Sequence, residues 1–247
     1  MGINLDKMKL KKAALENKGG DGKRWFWKPQ DGDQIIRIVP DADGDPFREF
    51  WFHYNLGENF GFLCPKKNFG EDCKVDDLVR KLYNDGSEDS KKKAKDLNAK
   101  QRFFSPVIVR GEEEKGVRVW GYSRTVYEAL LNVVLDPDYG DITDPVTGLD
   151  IKITYGKKTG EIYPTTVVSP RRKSTPLTED KDLTKEIVET EVDFTTLFQR
   201  KTSDEVASML DEYLSEDETE LTVSEDDKST DVADVEAAFA ELSAKAG

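Results

Sequence analysis

The stretch RFFSPVIVRGEEEKGVRVWGY, residues 102–122, sets two runs of β-branched and aromatic residues on either side of a polar loop bounded by Gly111 and Gly116. That is a β-hairpin pattern, predicting strands over 103–110 and 117–122. Successive side chains of a strand point to opposite faces. Val117, Val119 and Gly121 therefore share one face, and Arg118, Trp120 and Tyr122 the other. The valines supply a core face. The face with a cation and two large aromatics reads as a solvent-facing platform on which flat ligands stack.

Working outward, further short strands are expected. Residues 25–28 precede the turn PQDGD, and 35–39 run up to Pro40. Residues 50–54 alternate Phe50, Phe52 and Tyr54 against Trp51 and His53. Residues 151–155 and 161–168 flank GKKTG as a second hairpin. The pattern predicts a mainly β member of the α+β class, a small antiparallel sheet or barrel with inserted helices. A helix is expected over 76–84, continued by the lysine-rich stretch around 90–100. Ser123 is placed to cap another over 125–135, with Val126, Leu130 and Val134 inward. Residues 171–192 read as a polar connector. Thr202 and Glu205 form a capping-box pair opening a helix with Val206, Met209, Leu210, Tyr213 and Leu214 on one face. Residues 215–230 form an acidic linker. Residues 231–245 then place Val232, Val235, Phe239 and Leu242 at amphipathic spacing. There are no internal repeats.

The chain has 247 residues, enough for one sizeable core with appendages. Its net charge of −13 is unevenly spread: residues 203–247 hold 15 acidic and 2 basic groups, leaving 35 of each before them. The body is neutral, so a local basic groove is compatible with the acidic total. The acidic tail reads either as solubilising or as a segment that docks on proteins or competes for a basic groove. Residues 1–20 carry Lys7, Lys9, Lys11 and Lys12 beside Leu5, Met8 and Leu10, either a frayed terminus or a basic partner-binding arm. The first residues lack the apolar run of a signal peptide, and Asp6 stands where a myristoylation pattern wants Ser or Thr. The longest apolar run, ALLNVVL at 129–135, is far too short to span a membrane. The expectation is a cytoplasmic protein with reduced thiols and no membrane partner.

Two constellations carry chemistry. Arg102, Phe103, Phe104, Arg110, Arg118, Trp120, Tyr122 and Arg124 interleave cations with aromatics on one hairpin and its exit, and Trp25, Trp27 and Lys28 form a second such group. Single-stranded nucleic acid is held this way, with bases on aromatic faces and phosphates on cations. Core packing is the competing reading of each single aromatic. The second constellation is His53-x10-Cys64-x8-Cys73-x2-Asp76. It gathers the only histidine and both cysteines of the chain. Imidazole, two thiolates and a carboxylate suit tetrahedral zinc, and two buried free thiols are the alternative. No phosphate-cradling GxxxxGK loop is present, and no second histidine is available for a nucleophile pair, so the reading is a binding protein and not an enzyme.

The stretches FWKPQDGDQIIRIVP (26–40), FHYNLGENFGFLCPKKNFGEDC (52–73), KDLNAKQRFFSPVIVRGEEEKGVRVWGY (95–122) and DPDYGDITDPVTGLDIKITYGKKTGEIYPTT (136–166) carry a family resemblance. The chain resembles the single-stranded DNA-binding, helix-destabilising proteins of T-even-type bacteriophages, marine-phage relatives in particular. The resemblance implies three parts: a basic N-terminal arm (1–20) for cooperative self-association, an oligonucleotide-binding (OB) core (21–200) with a five-stranded Greek-key-like barrel, and an acidic tail (201–247). The tail would recruit phage replication proteins such as polymerase, helicase loader and recombinase. It implies sequence-independent binding of single-stranded DNA during replication, recombination and repair, in the cytoplasm of an infected bacterial host. Phe103, Phe104 and Trp120 fall where the family's aromatics line the DNA cleft, and Tyr83 and Tyr163 occupy comparable positions. The family's zinc subdomain, here 53–84, uses one His and three Cys; His53, Cys64 and Cys73 match, and Asp76 replaces the last Cys. Two other functions stay open: an assembly protein acting through its acidic tail, and an mRNA-binding translational repressor.

Overall fold

The computed structural model describes residues 26–41, 43–56, 61–190, 192–198 and 200–220. The basic arm, Trp25 and the tail beyond residue 220 lie outside the described residues. The fold is mixed α+β, built on one eight-stranded sheet. Its strands are β1 Phe26–Trp27, β2 Gly32–Ile38, β3 Arg48–His53, β4 Phe62–Leu63, β5 Lys100–Val109, β6 Arg118–Tyr122, β7 Leu149–Gly156 and β8 Thr165–Ser174. The helices are α1 Pro65–Phe69, α2 Lys74–Asp85, α3 Glu88–Leu97, α4 Arg124–Leu135, α5 Lys181–Glu189, α6 Phe194–Leu197 and α7 Ser203–Glu220.

The strand order is β1-β6-β5-β2-β7-β8, with β3 on β5 and β4 on β3. The predicted hairpin is the hub. Strand β5 pairs with β6 along one edge, in register Phe103↔Tyr122 to Val107↔Arg118. Along its other edge the first half pairs with β3 and the second half with β2. Only the β1–β6 pair is parallel among the described strands. Seven of the eight strands overlap an expected run, and the short β4 is the addition.

The face carrying Trp120 and Tyr122 is not open. Trp120 is 1% and Tyr122 3% exposed, and both lie in the largest core with Trp27, Phe103, Ile36 and Ile151. The cause is α4, which follows β6 directly and lays Val126, Leu130 and Val133 on that face. An amphipathic helix must cover apolar surface somewhere. The nearest sheet face is the one its own strand presents. Val133, not the expected Val134, completes the inward stripe; Val134 is 38% exposed. The opposite face of β6 is buried too, with Val119 among Phe52, Tyr54, Phe104, Phe194 and Phe198.

The segment 171–192 is more ordered than a connector. Strand β8 runs through Ser174, and Asp180 caps α5 by accepting from the amides of Asp182 and Leu183. Helix α5 then sets Leu183 and Ile187 over Val39, Ile108 and Leu177. The second layer is helical. α2 and α3 are separate helices because Gly86 takes the left-handed region at φ 79°, where a side chain is strained. Against them packs α7, whose Val206 and Leu210 are buried with Val75, Val79 and Leu97. The predicted capping box is made: the Glu205 amide donates to Thr202 Oγ1 at 3.2 Å, and the Glu205 carboxylate accepts the Thr202 amide at 2.8 Å. The helix expected at the start of the 201–247 segment packs in the helical layer.

Candidate metal centre and nucleic-acid interface

Four potential ligands converge where β3, β4 and α2 meet. His53 ends β3, Cys64 caps α1, Cys73 caps α2, and Asp76 lies in the first turn of α2. Their donor atoms all lie within 4.8 Å of one another, and the first three residues are fully buried. His53 Nδ1 lies 2.9 Å from the Leu97 carbonyl oxygen. A carbonyl only accepts, so Nδ1 carries a proton. Nε2 faces Cys73 Sγ at 3.4 Å and Asp76 Oδ1 at 3.7 Å. Cys64 Sγ is 3.2 Å from Asp76 Oδ2 and accepts the Lys67 amide at 3.3 Å. Asn68 locks this corner, its side chain bonding Trp51 N and O and the Cys64 carbonyl.

The two thiols differ. A hydrogen bond from Cys64, reinforced by His53, lowers the Cys73 thiol below the ordinary thiol range, while the same contact and burial push the Cys64 thiol up. An imidazole whose Nδ1 is tied to a carbonyl, two cysteine sulfurs and a carboxylate form a donor set that fits a tetrahedral divalent cation. Metal binding would take the proton from Cys64.

The predicted nucleic-acid residues divide by exposure. Lys28, Tyr83 and Arg124 are exposed, and Arg110 and Tyr163 half-buried. Trp27, Arg102, Phe103, Phe104, Arg118, Trp120 and Tyr122 are buried. The expectation that the 118/120/122 face stands open is therefore corrected. The Trp120 indole is hemmed by Trp27, edge-on at 6.1 Å, and Tyr122 at 4.5 Å. The Tyr122 hydroxyl shares a 2.7 Å bond with Ser105. Arg118 is ion-paired with Glu112, whose carboxyl it holds below the usual carboxylate range. Arg110 is tied into the fold as well. It and the fully buried Arg37 both bond Asp150, while Arg110 also holds the carbonyls of Pro176 and Leu177. Arg124 pairs with Glu128 one turn along α4.

The hairpin β7–β8 carries a basic surface that the sequence reading passed over. Lys152, Lys157, Lys158, Arg171, Arg172 and Lys173 oppose only Asp150 and Glu161 within residues 149–174. Arg171, Arg172 and Lys173 are consecutive, exposed, and form no ion pair with any described residue. They sit at a register irregularity opposite 149–151, where β8 holds more residues than its partner. The run RRK was the available signal, and its placement in a supposed connector hid it.

Residues 30–214, three quarters of the chain, match a family model described as gp32 DNA binding protein like. The chain belongs to the gp32-like DNA-binding protein family. No curated protein matches it. The gp32-like region runs from the turn before β2 to Leu214 on α7, so it takes in the metal cluster, the β5–β6 hairpin, the basic β7–β8 hairpin and the helical layer. Its end at 214 agrees with the packing of Val206 and Leu210, which makes the start of α7 part of the gp32-like unit. Among the described residues no helix is long and apolar enough to cross a membrane.

Proposed function

We propose that this protein binds single-stranded DNA independently of sequence, protecting and organising it during phage replication, recombination and repair, without catalysis. Membership of the gp32-like DNA-binding family carries this reading. The strand-bearing half is read as an OB-type core in which β5, shared between β2, β3 and β6, is the long strand of a partly closed barrel.

Within that reading the roles of the site residues are revised. Arg171, Arg172 and Lys173, which form no ion pair with any described residue, are with Lys157 and Lys158 the phosphate contacts, joined by the exposed Lys28 and Arg124. Exposed Tyr83 and half-buried Tyr163 are the stacking rings. Phe103, Phe104, Trp120 and Tyr122 form the rigid floor that positions these groups. Arg102, Arg110 and Arg118 brace the loops around it. His53, Cys64, Cys73 and Asp76 would hold one zinc ion, which supplies cross-linking of β3 to α1 and α2 and no chemistry on DNA. Cooperative self-association through residues 1–20 and recruitment of replication proteins through residues 221–247 complete the proposal. The setting is the cytoplasm of the infected host.

The test is a titration of the full chain into a labelled oligothymidylate, read by anisotropy at several salt concentrations, with duplex of equal length beside it. Anisotropy is preferred to tryptophan quenching because Trp27 and Trp120 are buried. Tight binding to single strands, weak binding to duplex and a steep salt slope are expected. Absence of binding at low salt, or equal affinity for duplex, would overturn the reading and favour the assembly role.

A further inference from the structure

Helix α1 sets two cation–ring pairs on the surface beside β3. The Lys67 ammonium lies 3.9 Å from the centre of the Trp51 ring, and the Arg200 guanidinium 4.3 Å from that of Phe69. Phe69 is 38% exposed. Trp51 is half-buried, whereas Trp27 and Trp120 are enclosed. The Trp51 ring does not need the lysine to hold its place. Its Nε1 donates to Glu49 at 2.6 Å, and it packs against the buried core of the helical layer. The Asn68 side chain accepts from the Trp51 amide at 3.0 Å and donates to its carbonyl at 2.7 Å, which locks α1 to β3. Lys66 and Lys67, by contrast, are exposed and form no ion pair with any described residue. Arg200 is paired with Glu71.

We propose that Trp51 and Phe69 are a further stacking site for single-stranded DNA, with Lys66 and Lys67 as its phosphate contacts. The proposal rests on the DNA-binding reading above and adds residues that it does not use. Three features select this ligand. First, the Trp51 ring is fixed at its edge and through its backbone, and the cation over its face is a solvated lysine. A lysine holds an exposed ring weakly, so a base can take that face at small cost. The displaced ammonium is then left beside the base, where the phosphate of the same nucleotide lies. Second, Lys67 and Phe69 flank Asn68, the residue that locks Trp51, so both rings and both lysines are fixed to one short helix. Third, residues 65–69 hold two lysines and no acid. The neighbouring acids are engaged, Glu49 by the indole N–H and Glu71 by Arg200. Stacking accepts the face of any base, which fits binding independent of sequence. In a duplex those faces are covered by neighbouring base pairs, so the site selects single strands.

The test uses the full chain and an oligothymidylate carrying 5-iododeoxyuridine, whose photoadducts form with aromatic side chains stacked on the base. Binding is first read by anisotropy. The complex is then irradiated and the adducts are mapped by peptide mass spectrometry. Adducts on Trp51 or Phe69 are expected. Lys66→Ala and Lys67→Ala combined, two exposed changes whose effect on folding is checked by circular dichroism, should lessen the slope of log K against log salt by about 1.4, two phosphates at roughly 0.7 each. Binding with adducts confined to other residues would overturn this site and leave the DNA-binding reading standing. A slope unmoved by the double substitution would do the same. A parent chain that does not bind the oligonucleotide at low salt would overturn both.

Discussion

Phe103 on β5 lies nearly parallel to Tyr127 on α4, with ring centroids 3.9 Å apart and planes 15° apart. An aromatic that a strand-based reading would offer to DNA is instead covered by the second turn of the helix that follows β6. Tyr127 in turn meets Phe47 edge-on at 5.7 Å, closing the end of the main core.

Trp120→Ala tests this burial. Removing a fully enclosed indole should destabilise the fold by about 3–5 kcal/mol. Chemical denaturation would show it as a lower midpoint with an unchanged slope. Affinity for an oligonucleotide, measured where the variant is still folded, should stay close to that of the parent. A stable variant with weak binding would return Trp120 to the stacking role.

The basic bulge offers the opposite signature. Replacing Arg171, Arg172 and Lys173 together by Ala removes exposed cations that form no ion pair with any described residue, so the thermal midpoint should hardly move. The slope of log K against log salt should lessen by about 2, three phosphates at roughly 0.7 each on a single strand. An unchanged slope would remove these residues from the interface.

For the metal centre, native mass spectrometry of the full chain should find one zinc, lost on treatment with a strong chelator together with a fall in thermal midpoint. Asp76→Cys should make the ion harder to remove, because a third thiolate replaces a carboxylate oxygen. Asp76→Ala should release it readily. Equal retention by all three proteins would exclude Asp76 as a ligand.

Tyr54 gives the fold an alkaline limit. Burial raises its phenol to about 12, with the charge of Arg102 and a hydrogen bond to it opposing in part. The folded state therefore holds this proton more tightly than the unfolded chain, whose phenol titrates near 10. The associated stability is complete below pH ~10 and is lost as pH rises through about 12. Two units correspond to about 3 kcal/mol. Tyr54→Phe should remove part of that alkaline loss in denaturation curves taken from pH 8 to 12. At neutral pH it should cost about 1 kcal/mol, the net contribution of one hydrogen bond.

Much of this molecule is local, and local features were legible. The 102–122 hairpin, the Thr202–Glu205 capping box, the helix after Ser123 and the convergence of His53, Cys64, Cys73 and Asp76 follow from periodicity, turn chemistry and ligand spacing. Each depends on neighbours within a few residues or on a residue type the chain holds only once or twice. Alternation was also right for β3, where Phe52 and His53 do face opposite cores.

Alternation says which residues share a face. It cannot say what lies over that face. Whether Trp120 meets solvent or core depends on where α4 folds back, and that is set by apolar area summed over both elements. The same holds for α7: its composition is that of an acidic tail, yet Val206 and Leu210 find a partner in α2. Arg37 and Arg110, which share Asp150 across strands more than 100 and 40 residues apart in sequence, could not be told from surface cations in the sequence alone. The sequence by itself determined most of the strands, the four candidate donors and the sign of charge along the chain. Only the tertiary structure decided which aromatics are core and which cations pair among the described residues, because burial arises from elements brought together across the fold.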